Sequence, residues 1–220
     1  VSDDASETDE ADQVGVDHPI LRRMYSLSGD VEERTGIYDD WARDYERDTA
    51  NLGYVGPALA AARVAELVPP DTEVLDAACG TGLVGVELAQ REFTAVDGVD
   101  LSSGMLDVAR QKGIYRHLAI ADITRPLPAH QGGYGAVVCA GTFTAGHVGP
   151  EGIDSLVAAA RPGGYTVLTV LSHIWDARGF PAHIAELTQR GAARLVDQRA
   201  GQTYHTKEPL TCWVVVLQTP

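Results

Sequence analysis

Gly80, Gly82 and Gly85 in "VLDAACGTGLVG" are spaced G-x-G-x-x-G. They lie between a strand-like run, "EVLDAA", and a helical one, "GLVGVELAQR". At such a turn glycine lets the backbone reverse tightly and lets a ligand approach it closely. The helix start beyond it favours an anionic ligand group. Asp100 ends the next strand-like run, 20 residues after Gly80. A carboxylate there can accept both hydroxyls of a ribose, in charge-assisted hydrogen bonds of roughly 1.5–3 kcal/mol each. The pair points to a nucleoside-containing cofactor.

Asp76 narrows the choice. It stands four residues before Gly80, at the end of the first strand. A carboxylate beside the glycine turn would repel a pyrophosphate, which disfavours a nicotinamide oxidoreductase. S-adenosylmethionine has no phosphate; it carries an ammonium and a sulfonium, and both are attracted to an acid. The D-x-x-x-G-x-G order therefore predicts S-adenosylmethionine as cofactor and S-adenosylhomocysteine as product. No pair of cysteines has zinc-ligand spacing, and no metal is expected.

The elements that must position these residues alternate. Strands are predicted at 73–78, 94–101, 115–121, 134–141 and 163–172, with helices at 82–91, 103–112, 151–161 and 180–191. Such alternation implies an α/β fold whose parallel sheet is covered on both faces. Two final strands, "ARLVDQRAG" and "TCWVVVLQT", have no helix between them and should pair as an antiparallel hairpin. Before the sheet come two helical stretches. One runs through "SGDVEERTGIYDDWARDYERD", with Asp30 and Glu33 as a capping box; the other is "GPALAAARVAELV", closed by Pro69 and Pro70.

The chain has 220 residues, suited to one domain, and a formal net charge of −14. That charge argues against nucleic acid and acidic membranes as partners. No apolar run reaches the length of a transmembrane helix. The acidic, polar stretch "VSDDASETDEADQ" is unlike a signal peptide, and residues 1–16 read as a disordered tail. Cys79, Cys139 and Cys212 are scattered and odd in number, which predicts a reducing, cytoplasmic setting. The expected organisation is a tail over 1–16, a helical lid segment over 17–69 and a core over 70–220. The oligomeric state is left open.

"VLDAACGTGLVG", "GVDLSSGML", "ADITRPLP" and "ARPGGYTVLTV" resemble, in order and spacing, the successive motifs of class I S-adenosylmethionine-dependent methyltransferases. The resemblance covers roughly residues 70 to 172. "YDDWARDYERD" is similar to their small-molecule branch, in particular to the Williams–Beuren syndrome region methyltransferase-like proteins and bacterial relatives. The family implies a Rossmann-like seven-stranded sheet in order 3-2-1-4-5-7-6, with strand 7 antiparallel. It also implies that Asp76, Ala78, Gly80 and Gly82 line the methionine part of the cofactor and that Asp100 holds the ribose. Leu101 and Met105 would flank the adenine, Asp122 would meet its amino group, and Ile123 would supply a backbone contact and an apolar wall. Cys139 and the residues up to Thr142 would pass beneath the methionine portion. Cys79 is read as a packing residue.

The reaction implied is in-line methyl transfer to an O or N atom of a small organic acceptor. "CAGTFTAGH" lacks the Asn/Asp-Pro-Pro-aromatic motif of nucleic-acid amino-methyltransferases, a Pro-Cys pair, and the acidic pair of metal-dependent catechol enzymes. His147 follows the fourth strand, at the sheet edge where α/β ligands bind, and is the candidate base. His173 is a second candidate; His183 is expected at the surface, and His205, in the hairpin loop, either to face water or to approach the pocket. Trp175 and Phe180 would line an acceptor pocket or pack, and Trp213 would pack. Tyr38, Trp41 and Tyr45 are spaced to share one helix face. Tyr38 and Tyr45 are expected against the sulfonium or carboxylate end of the cofactor, and Trp41 as an anchor. Asp39, Asp40, Asp44, Glu46 and Asp48 read as a solvated face. The rival to methyl transfer is a protein of this fold that keeps S-adenosylmethionine without transferring its methyl, such as a natural-product cyclase.

Overall fold

A computed structural model describes residues 31–128 and 130–220. The expected tail over 1–16, the start of the lid segment over 17–30 and the Asp30 cap lie outside the described residues.

The sheet is built from β1 (Val74–Ala77), β2 (Val96–Asp100), β3 (Leu118–Ile120), β4 (Tyr134–Phe143), β5 (Ala160–Leu171), β6 (Arg194–Thr203) and β7 (Thr211–Gln218). Its order is β3-β2-β1-β4-β5-β7-β6, as the family resemblance implies. β7 is antiparallel to β5 and β6; the other pairings are parallel. All four residues of β1 are buried, as a central strand covered on both faces requires. The β1, β2 and β4 ends therefore meet at one sheet edge, and the chemistry-bearing turns follow from those ends.

The helices are α1 (Val31–Trp41), α2 (Tyr45–Asn51), α3 (Gly56–Leu67), α4 (Leu83–Ala89), α5 (Ser103–Gln111), α6 (Gly152–Ala159), α7 (Ser172–Trp175) and α8 (Phe180–Gln189). Two differ from expectation. The four-residue α7 follows β5 directly and had no sequence signal of its own. The aromatic stretch is two helices rather than one. Asp44 N–H donates to the Trp41 carbonyl at 2.9 Å, closing a turn over 42–44, and Asp48 N–H restarts the ladder on the Asp44 carbonyl. Ala42 is buried in that turn, and the Trp41 indole N–H spans it to Asp48 Oδ2 at 2.9 Å. The rings of Tyr38, Trp41 and Tyr45 still converge, with centroids 4.8–6.4 Å apart.

Two irregularities shape the sheet edge. Cys139 pairs with Leu168 and Phe143 with Val170, so residues 140–142 bulge out opposite Thr169. A bulge re-aims a strand end, and here Gly141 takes φ +88 at its centre. In addition, the loop between β6 and β7 folds back onto the start of α3. Val55 N–H donates to the Tyr204 carbonyl at 3.0 Å and Thr206 N–H to the Gly53 carbonyl at 2.9 Å. This brings Tyr54, Tyr204 and His205 together beside the bulge.

Candidate active site

The glycine turn leaves β1 in left-handed backbone: Gly80 at φ +54 and Gly82 at φ +93, with Ala78 between β1 and Gly80 at φ +56. Ala78 holds a conformation that costs a non-glycine residue about 1–2 kcal/mol. At Gly82 glycine is required twice over. A Cβ there would also stand 2.9 Å from the Tyr115 ring.

Asp100 ties this turn to the end of β2. Its Oδ2 accepts from Gly80 N–H at 2.8 Å, and its Oδ1 from Ser102 N–H at 2.9 Å. Burial raises its pKa; the N–H donors and the Arg34 charge oppose that rise. Ser102 caps α5 by accepting from Met105 N–H at 3.0 Å. Asp39 of α1 reinforces the same helix start, accepting from Ser102 Oγ at 2.5 Å and Gly104 N–H at 2.8 Å. Lys112 at the end of α5 pairs with Glu46 of α2. Asp39, Glu46 and Asp48 therefore also hold structure together, while Asp39, Asp40 and Asp44 are solvent-exposed as expected. Asp39 and Glu46 fasten the N-terminal helices to the core.

Between these elements lies a cleft of about 690 Å³. Gly80, Ala78 and Asp100 form one side; Leu101, Met105, Asp122 and Ile123 another. α1 and α2 contribute Arg34, Thr35, Tyr38 and Tyr45, and the bulge contributes Ala140, Gly141 and Thr142. His147 and Val148 complete the wall. Asp122 accepts from Thr124 N–H at 2.8 Å, which fixes the turn after β3. Nine of the twelve cofactor residues expected from sequence thus line one cleft with His147: Tyr38, Tyr45, Ala78, Gly80, Asp100, Leu101, Met105, Asp122 and Ile123.

Asp76, Gly82 and Cys139 do not line it. Asp76 is fully buried beneath the turn. Its Oδ2 accepts from the Tyr115 hydroxyl at 2.6 Å, while Oδ1 has no partner among the described residues. Tyr115 in turn packs under Gly82 and Gly85, where a Cβ would meet its oxygen at 2.4 Å in the latter case. Asp76 acts on the turn from below, through Tyr115. Cys139 is sealed inside β4, where burial pushes its thiol up to about 12.

Other expectations shift as well. Trp175 is buried and stacks on Trp213 at 4.5 Å, and Phe180 packs edge-on against Phe143, so neither Trp175 nor Phe180 lines the cleft. His183 is bonded to Asp154. His205 is buried rather than exposed. Among the described residues no cluster of His, Cys, Asp and Glu could hold a metal, and no helix is long and apolar enough to cross a membrane.

Arg34 is the residue that the sequence reading missed. It is 7% exposed and lines the cleft, with no hydrogen bond or ion pair among the described residues. It sits one turn before Tyr38 on the same helix face, which was the available signal. A buried, unpaired cation is costly unless an anion joins it. Tyr45 likewise brings a hydroxyl that makes no hydrogen bond among the described residues, and burial, with Asp100 nearby, pushes its pKa up. His147 Nδ1 lies 2.7 Å from the Ala145 carbonyl, which can only accept, so Nδ1 carries the proton. Nε2 then accepts from the Tyr38 hydroxyl at 2.9 Å. Burial lowers the His147 pKa to about 4, so the ring is neutral at ordinary pH.

Residues 74–164 match the methyltransferase domain family. Human methyltransferase-like protein 27 is 38% identical over 144 residues, which are 64% of this chain and 58% of that protein. The matched segment and these relatives make the chain similar to class I S-adenosylmethionine-dependent methyltransferases. Two solved structures share the fold. Magnesium protoporphyrin IX methyltransferase from Synechocystis, with bound S-adenosylmethionine, has a TM-score of 0.56 at 21% identity, covering 74% of this chain and 76% of its own. The [4+2]-cyclase SpnF has a TM-score of 0.66 at 14% identity, covering 88% and 98%. The chain spans less than two thirds of the curated relatives it matches.

The cofactor of this family is S-adenosylmethionine, and the cleft fits it. Asp100 is placed to accept from ribose hydroxyls, and Leu101, Met105 and Ile123 offer apolar walls to a purine. The unpaired Arg34 guanidinium and the Tyr45 hydroxyl suit the methionine carboxylate. On that basis Arg34→Ala should lower S-adenosylmethionine affinity about tenfold to hundredfold in calorimetry. Because the cation makes no hydrogen bond or ion pair among the described residues, only its field on Asp100 is lost, and the melting temperature of the free protein should change little.

Asp76 generates a second prediction. Burial raises its pKa from 3.8 to about 7, Tyr115 opposing the rise. Between those values the folded state keeps a proton that the unfolded state has released, so this group lowers stability as pH rises from about 4 to about 7. Asp76→Asn removes the titration. In urea unfolding, its stability relative to wild type should increase across that window and level off above it. Parallel pH profiles would contradict the assignment.

Proposed function

We propose that the protein transfers the methyl group of S-adenosylmethionine to an oxygen or nitrogen of a small organic acceptor. One observation carries this reading. A second cavity abuts the cofactor cleft, and the two share Tyr38, Tyr45, Gly141 and His147. A cofactor on one side and an acceptor on the other would meet at that common wall. Bound S-adenosylmethionine supplies an electrophilic methyl carbon, which bonds to the acceptor lone pair as the carbon–sulfur bond breaks and its electrons go to sulfur.

The chain's own residues align the partners, exclude water and take the proton. Tyr38 Oη accepts the acceptor's proton as its own passes to His147 Nε2, and the Ala145 carbonyl steadies the imidazolium that forms. A ring with a pKa near 4 is too weak to ionise an alcohol beforehand. It suffices for a proton that becomes strongly acidic as the methyl bond forms. His147 thus works through Tyr38, not as the isolated base first expected.

In this reading residues 17–69 form the lid segment and 70–220 the catalytic core. Asp39 and Glu46 latch the described part of the lid. The three cysteines, buried and unpaired, support a reducing, cytoplasmic setting. The net charge of −14 supports a small-molecule acceptor over nucleic acid.

The test is an acceptor screen read by S-adenosylhomocysteine release. Turnover with a small organic acceptor is expected. Tight binding of S-adenosylmethionine with no release against any acceptor would favour instead a cyclase-like protein that keeps the methyl. With a working acceptor, Tyr38→Phe should lower kcat about a hundredfold. A raised KM for S-adenosylmethionine at unchanged kcat would reduce Tyr38 to a binding role.

A further inference from the structure

The second cavity lies between α1, α2 and the β6–β7 loop and offers about 400 Å³ of empty space, part of it open to solvent. Its wall is unusual in kind. Tyr38, Trp41, Tyr45, Tyr54 and Tyr204 supply five aromatic rings, in a chain where aromatics are only 6% of residues. The other side chains are threonines and the two histidines; among the described residues no Asp, Glu, Lys or Arg lines it.

The rings are arranged edge to face. Trp41 meets Tyr45 at 4.8 Å and 72°, and Tyr54 meets Tyr204 at 5.0 Å and 65°. That packing presents both ring faces and ring edges to an occupant, the geometry in which a further ring is favoured. His205, 5% exposed, lies against Tyr54 and has a buried Nδ1 with no partner among the described residues. Burial lowers the pKa of both histidines to about 4, so this wall carries no charge at neutral pH.

We propose that this cavity is the acceptor site and that it takes an uncharged one- or two-ring aromatic alcohol, its hydroxyl at Tyr38 and its ring among Trp41, Tyr54 and Tyr204. The proposal rests on the methyltransferase reading and narrows its acceptor to a phenol-type oxygen. An anionic acceptor would be buried with no cation in the wall, at a cost of several kcal/mol. A cationic one would find ring faces but no carboxylate, and would share the common wall with the cofactor's sulfonium. A neutral hydroxyl meets neither objection. It also matches the Tyr38–His147 pair, which can accept one proton in place.

The test is calorimetric binding, on the protein alone and on its S-adenosylhomocysteine complex. The probes are naphthol, naphthoate, naphthylmethylammonium and decahydronaphthol, alike in size but different in charge or aromaticity. Naphthol should bind the complex about tenfold or more tightly than each of the others. Tyr204→Ala should weaken it about tenfold, while the wild-type ranking stands whether or not that variant folds. Equal or better binding of a charged probe would overturn the neutral class. Equal binding of decahydronaphthol would overturn the aromatic one. Either result, with S-adenosylhomocysteine still bound, leaves the methyltransferase reading intact. Failure of the protein to bind S-adenosylmethionine or S-adenosylhomocysteine would strike that reading instead, and the titration of the protein alone would still rank the probes.

Discussion

A single carboxylate organises the edge of the sheet. Asp100 ends β2 and accepts one N–H from the turn after β1 and another from the turn after itself. Both donors belong to loops that have no ladder partner, so without Asp100 two backbone groups lose their bond in a largely enclosed place. The energy of placing a charge there is partly offset by those bonds and by the field of Arg34. From this junction the rest follows: Ser102 caps α5, Asp39 grips that cap, and α1 is thereby laid along the cleft.

The cleft owes its electrostatics to unequal partnership. Asp100 is already bonded to backbone, yet each of its oxygens can accept again. Arg34 has no partner among the described residues. His147 is neutral because its ring is buried and Arg34 and Arg178 lie near it, the bond to the Ala145 carbonyl opposing that effect. A ligand bearing hydroxyls at one end and a carboxylate at the other would complete the first two groups and leave the third to handle a proton. Among the described residues the adjoining cavity has no charged side chain in its wall, and the same four residues border both spaces.

The strands, the antiparallel hairpin and the glycine turn were legible because each has a short-range signature: apolar runs, glycine spacing and a missing crossover helix. The strand order was implied by the family resemblance. The aromatic spacing likewise announced that Tyr38, Trp41 and Tyr45 would meet. The break between α1 and α2 was not legible, since it depends on Ala42 being buried and on the bond from Trp41 to Asp48. Arg34 was overlooked because a lone arginine on an acidic helix reads as surface. Asp76 was misplaced for a related reason. Its position in the chain was right, but Tyr115, 39 residues away, roofs it over from beneath Gly82. The second cavity was invisible for the same cause, being assembled from α1, α2 and a loop that meet only in the folded chain.

The account stands or falls on Asp100. Replacing it with Asn keeps the size, and can keep one acceptor for Gly80 or Ser102, but removes the charge. Calorimetric titration of S-adenosylmethionine into wild type and Asp100→Asn, with unfolding followed in parallel, isolates that charge. The account predicts an affinity loss of about tenfold or more in a variant that still folds cooperatively. Unchanged affinity in a folded variant would show that the cofactor lies elsewhere.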